Sequence, residues 1–142
     1  MSGLDNLYRE VIMEHYKNPR NKGLKEDENY TLFHIKNPSC GDDITIQTLV
    51  KDGIIKDCRH IGHGCSISMA SASVLTEIMM DKPVEEALNI ANNYLNMVAN
   101  KEYDETLDLE EATVFSGVKD FPARIKCASI AWKAFEGTLE SE

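Results

Sequence analysis

Three cysteines and an aspartate carry most of the chemistry this chain could perform. Cys40 and Asp42 sit in the stretch N-P-S-C-G-D-D (37–43), separated only by Gly41; Cys65 follows in G-H-G-C-S and Cys127 in R-I-K-C-A. Three thiolates and a carboxylate form a four-ligand set that suits tetrahedral zinc or an iron–sulfur cluster. We expect Cys40, Asp42, Cys65 and Cys127 to meet around one metal ion, in a site that handles sulfur. No C-x-x-C pair is present, and structural zinc sites more often use close ligand pairs. Ligands scattered this widely fit a site built on a preformed scaffold.

The surroundings of each thiol differ. Cys65 directly precedes a helical pattern, so the helix N-terminus should favour its thiolate. Cys127 lies in the first turns of the last predicted helix, where that effect is weaker. Arg124, three residues earlier, shares its face and could stabilise an anionic sulfur. The Cys40 turn is fixed by Pro38 and Gly41 and can hold a side chain outward. Asp43 competes with Asp42 for the carboxylate role. His63 is the one histidine near a candidate ligand, whereas His15 and His34 read as ordinary helix and strand residues. Cys58 falls inside a predicted strand and reads as core packing. Met69, Met79, Met80 and Met97 read as core or helix filler rather than a soft-metal site.

The elements that must position these groups follow from periodicity. Leu4, Leu7, Tyr8, Val11, Ile12 and Tyr16 predict an amphipathic first helix that Asn18-Pro19 stops. Residues 19–30 predict an exposed loop, with Glu26, Asp27 and Glu28 as a solvated face. Strands are predicted at about 31–36, 44–49 and 54–61, the last two joined by an Asp52-Gly53 hairpin turn. A helix is predicted from Ser66, with Ile67, Ala70, Ser71, Val74, Leu75 and Ile78 on its buried face. Pro83 starts another, buried through Val84, Ala87, Leu88, Ala91, Leu95 and Val98. Residues 101–120 are acidic and poorly periodic, with a turn expected at Gly117, and a last helix begins near Pro122. The expected fold is α+β: a small antiparallel three-stranded sheet with helices packed on one face, in one domain spanning 1–142.

Composition narrows the function classes. The chain has 142 residues, 42% of them hydrophobic and 27% charged, enough to build a core without a metal staple. A formal net charge of −9 repels phosphate backbones and anionic membranes, so nucleic acid and lipid surfaces are not expected partners. No apolar run approaches the ~20 residues needed to span a bilayer, and residues 1–10 do not read as a signal peptide. A cytoplasmic setting follows as the expectation, with the four cysteines reduced and no disulfide framework.

Four segments together resemble the IscU/NifU-N superfamily of iron–sulfur cluster assembly proteins, and most closely its SufU branch: H-Y-K-N-P-R-N (15–21), N-P-S-C-G-D (37–42), G-H-G-C-S-I-S-M-A-S-A-S (62–73) and F-P-A-R-I-K-C-A (121–128). IscU-type scaffolds carry a histidine just before the last cysteine; here that residue is Lys126. The acidic segment at about 101–120 resembles the insertion typical of SufU. The resemblance implies an IscU/SufE-like fold and a zinc-dependent sulfurtransferase. In that role it accepts persulfide sulfur on Cys40 from a SufS-type cysteine desulfurase and passes it to downstream iron–sulfur assembly proteins. The alternatives are a scaffold that transiently holds a [2Fe–2S] cluster on the same ligands, and an interaction domain with a structural zinc and inert cysteines.

Overall fold

The computed structural model describes residues 3–38 and 41–140, with side chains from residue 9 onward. The element order is α1 (Gly3–Lys17), β1 (Thr31–Asn37), β2 (Asp42–Lys51), β3 (Ile54–His63), α2 (Ser66–Met79), α3 (Val84–Val98), a 3-10 helix (Glu110–Asp120) and α4 (Pro122–Glu140). The strands pair antiparallel in the order β1-β2-β3, giving the expected three-stranded sheet with helices packed against it. Asp52 and Gly53 both take positive φ, 56° and 75°, which is the hairpin geometry their pairing predicts. Among the described residues no helix is long and apolar enough to cross a membrane.

Helices α2 and α4 lie against the sheet, while α1, α3 and the 3-10 helix pack on them. Helix α2 is therefore central: every residue from Ser68 to Thr76 is buried, and the one-faced stripe expected of it is replaced by burial nearly all round. Its small residues permit this. Ser71 is the keystone, accepting the Trp132 indole N–H at 2.9 Å and donating to the Ala128 carbonyl at 2.9 Å. Tyr94 of α3 also donates to the Ala128 carbonyl at 2.8 Å and stacks on Trp132 with ring centroids 3.8 Å apart. These bonds fasten α2 and α3 to α4 at the residue following Cys127, and so fix where that thiol sits.

Other expectations shift in detail. Leu4, Leu7 and Tyr8 lie outside the described side chains; among those described on α1 the buried positions are Ile12 and His15, and Tyr16 is exposed, because the buried imidazole has polar partners that draw it inward. On α3 the buried stripe is rotated to Ala87, Ile90, Ala91, Tyr94, Met97 and Val98, with Val84, Leu88 and Leu95 only partly buried. Loop 19–30 is tied down in its first half: Asn21 and Gly23 exchange backbone bonds with His60 of β3, and Arg59 donates to the Gly23 carbonyl at 2.7 Å. This covers the free edge of β3. The acidic segment is periodic after all. Leu109, Ala112, Phe115 and Val118 are buried at intervals of three, the repeat of a 3-10 helix, in which side chains three apart eclipse. Gly117 lies within that helix rather than in a turn.

Candidate metal centre

The strands and helices end together at one corner of the molecule. Asp42 opens β2 and is fully buried. Cys65 stands just after β3, at the N-cap of α2, and Cys127 is buried in the second turn of α4. The ligand atoms of Asp42, Cys65 and Cys127 all lie within 4.8 Å of one another. A tetrahedral ion with metal–sulfur bonds of ~2.3 Å sets its sulfurs roughly 3.8 Å apart, so these donors need only a small inward adjustment. Their chemistry fits as well: two sulfurs and a carboxylate oxygen are a zinc donor set. Cys40, the remaining expected ligand, lies outside the described residues.

Two local features build the corner. A Cβ placed on Gly64 would lie 2.3 Å from Asp42 Oδ1 and 2.4 Å from Ser68 Oγ, so only glycine lets the loop pass this close to the carboxylate. Asp42 Oδ1 then accepts the Ser68 hydroxyl at 3.0 Å and the Cys65 backbone N–H at 3.3 Å, which offsets the cost of burying a carboxylate. The sequence points to Asp42 over Asp43 only weakly. Alternation along β2 decides it: Asp42 is turned inward, whereas Asp43 is on the other face, 2.6 Å from His34 Nε2.

The two thiols are poised unequally. Burial pushes Cys65 up, but the Ser68 N–H and hydroxyl, the Cys127 thiol and the Ile67 N–H together hold it below the ordinary thiol range. Cys65 makes no regular side-chain capping bond; the pull is that of the open N-terminus of α2 on an adjacent sulfur. Cys127 is pushed up, first by burial and then by its bond to Cys65 and the nearby charges of Cys65 and Asp42. Cys127 therefore holds its proton more tightly than Cys65 does, with both Cys65 and Asp42 as hydrogen-bond partners. Metal uptake must displace that proton.

The remaining candidates separate clearly. Arg124 is exposed in the first turn of α4 and makes no side-chain hydrogen bond or ion pair among the described residues. His63 ends β3 in an exposed position and is not part of the thiol group. Cys58 is fully buried in the core, where desolvation raises its pKa well above the ordinary thiol value. Sequence reasoning missed Ser68, which sits three residues after Cys65 and could have been found as a residue one helical turn from a ligand at a helix start.

Residues 7–128 match the family described as the NifU-like N-terminal domain. The chain belongs to that family. Within it, the chain is 45% identical over 141 residues to a Bacillus subtilis (strain 168) protein named zinc-dependent sulfurtransferase SufU, covering 99% of this chain and 95% of that one. It is 35% identical over 140 residues to a Streptococcus pyogenes serotype M1 protein named iron–sulfur cluster assembly scaffold protein IscU, covering 99% and 87%. Among solved structures, the crystal structure of FiSufU from Fervidobacterium islandicum AW-1, described as a candidate cluster assembly scaffold of the SUF system, superposes with a TM-score of 0.83. Identity there is 36%, over 94% of this chain and 97% of that one. The NifU-like fold is thus the framework on which this corner of thiols and carboxylate is carried.

Proposed function

We propose that this chain is a zinc-dependent sulfurtransferase: it takes persulfide sulfur from a cysteine desulfurase and passes it toward iron–sulfur cluster assembly. The observation that carries the reading is the convergence of Asp42, Cys65 and Cys127 at one buried corner, in a chain 45% identical to a zinc-dependent sulfurtransferase over nearly its whole length. In this reading residues 1–142 act as one IscU/NifU-N-like unit with an acidic insertion at about 101–120, and Cys40 is the fourth ligand. Zinc, when bound, keeps the coordinated sulfurs ionised at neutral pH yet unreactive.

The transfer step falls to Cys40 in the N-P-S-C-G-D stretch. Its thiolate, when not engaged as a ligand, would attack the terminal sulfur of the donor's persulfide. A sulfur–sulfur bond to Cys40 forms, the bond to the donor's cysteine breaks, and the donor leaves as a thiolate. Arg124, with no anionic partner among the described residues, stands free to balance the negative charge of the exchanging sulfurs. Asp42, Cys65 and Cys127, anchored on β2, α2 and α4, hold the remaining ligand sphere in place meanwhile. The acidic surface (net −9) and α1 are the faces offered to a basic partner.

The test is metal analysis with persulfide trapping after incubation with a SufS-type desulfurase and cysteine. A colourless protein with one zinc, stimulating the desulfurase and carrying a persulfide that Cys40→Ala abolishes, is the expected result. Equal stimulation by a folded Cys40→Ala variant would sink the acceptor role. A brown protein with a [2Fe–2S] spectrum would instead support the scaffold reading, which the same donor set allows.

A further inference from the structure

Ser68 is fully buried in the first turn of α2, and its single hydroxyl proton has a choice of acceptors. Asp42 Oδ1 lies 3.0 Å away, the Cys65 carbonyl 3.0 Å away and Cys65 Sγ 3.6 Å away. The bond to the carbonyl three residues back is the local one a helical serine makes by default; the bond to Asp42 reaches across to another element. Gly64 is the reason it can, since any Cβ there would collide with both Asp42 Oδ1 and Ser68 Oγ. The Cys65 N–H donates to the same oxygen. Oδ1 is thereby held by two donors at the start of α2.

We propose that Ser68 is a positioning residue for the metal centre: by holding Asp42 at Oδ1 it fixes the orientation in which that carboxylate is presented to Cys65 and Cys127. The arrangement also makes Asp42 easy to withdraw and return, because the hydroxyl that loses Asp42 turns to the Cys65 carbonyl at the same distance. The proposal rests on the reading that this corner binds zinc and concerns how its ligands are held.

The experiment compares wild type, Ser68→Ala, Asp42→Ala and the double variant. Two quantities are read: the rate at which zinc is lost to a chromogenic chelator, and the visible spectrum of the cobalt(II)-loaded protein. Thermal unfolding of each metal-free form confirms folding, and Ser68→Gly repeats the removal if the alanine variant is disturbed. Loss of a residue that orients a ligand costs about 10–100-fold in metal retention. We expect Ser68→Ala to release zinc faster by that factor, with cobalt d–d bands altered in position or intensity as the carboxylate loses its fixed orientation. The double variant should release zinc no faster than Asp42→Ala, because Ser68 acts through Asp42. Release from Ser68→Ala and Ser68→Gly at the wild-type rate overturns the proposal, as does a Ser68 effect of full size in the Asp42→Ala background. Wild type that takes up neither metal overturns both this proposal and the zinc reading. A zinc protein that obeys the cycle but never stimulates a desulfurase leaves Ser68 in its role and removes only the sulfurtransferase reading.

Discussion

Among the described residues, two places bring three potential ligands together, and they solve the problem of buried charge in opposite ways. At one, Asp42, Cys65 and Cys127 meet, and burial together with the charges of its two neighbours pushes the Cys127 thiol up. At the other, His15, Glu77 and Glu111 meet between α1, α2 and the 3-10 helix. There the charges are answered from within the protein. The Ser73 hydroxyl lies 2.7 Å from His15 Nδ1 and also accepts the Arg20 N–H at 2.8 Å. His15 Nε2 is 2.9 Å from Glu111 and 3.6 Å from Glu77, which Arg20 approaches to 3.8 Å. The Glu77 and Glu111 carboxylates are about half exposed, at 43% and 53%, and water screens what Arg20 does not. Proximity of ligands is common to both; a need for an outside cation belongs only to the buried thiol corner. The histidine cluster is a clasp that pins the acidic segment to α1 and α2.

The widest contrast comes from deleting one member of each. Cys127→Ser should weaken zinc retention by at least a hundredfold, on the order of 3 kcal/mol or more, as measured by chelator competition. His15→Ala should leave one zinc per chain in place and instead lower stability by roughly 2–3 kcal/mol, since it strands the buried Ser73 hydroxyl and removes the clasp. Loss of a metal equivalent from His15→Ala would break the comparison. A second buried imidazole sharpens it. His60 donates through Nε2 to the Arg20 carbonyl at 2.9 Å, and its Nδ1 has no partner among the described residues. With no carboxylate facing it, burial pulls its pKa down from 6.5 to about 4. The unfolded chain takes up this proton first, so the neutral form contributes stability above pH 6.5 that is lost as pH falls toward 4. The slope is at most ~1.4 kcal/mol per pH unit. Urea midpoints of the metal-free protein across that window should show the decline, and His60→Gln should flatten it. The smallest effect is that of Glu111→Gln: an exposed carboxylate facing His15 should cost only about 0.5–1 kcal/mol in thermal unfolding, with zinc content unaltered.

The thiol corner was legible because its ligands fall in turns and at helix starts, where a residue's neighbours in sequence largely decide its setting. Gly64 before Cys65, and Cys65 before an apolar helical run, are local signals of that kind. The sheet was readable for the same reason: alternation in β2 and the Asp52-Gly53 pair leave little choice of register. What escaped depends on tertiary neighbours. His15 looked like an ordinary helix residue because its partners, Ser73 and Glu111, lie 58 and 96 residues away. Helix α2 looked one-sided because nothing in its own sequence shows that helices and sheet enclose it. The 3-10 segment is hard to read because a repeat of three matches neither the α-helical nor the strand period, although Leu109, Ala112, Phe115 and Val118 display it.

The central claim is that zinc here is held by sulfur from three cysteines and by one carboxylate oxygen. Zinc K-edge X-ray absorption of the purified protein tests this most directly. The account predicts a first shell of three sulfurs near ~2.3 Å and one oxygen near ~2.0 Å. A shell of nitrogen and oxygen alone, with no sulfur scattering, would contradict it.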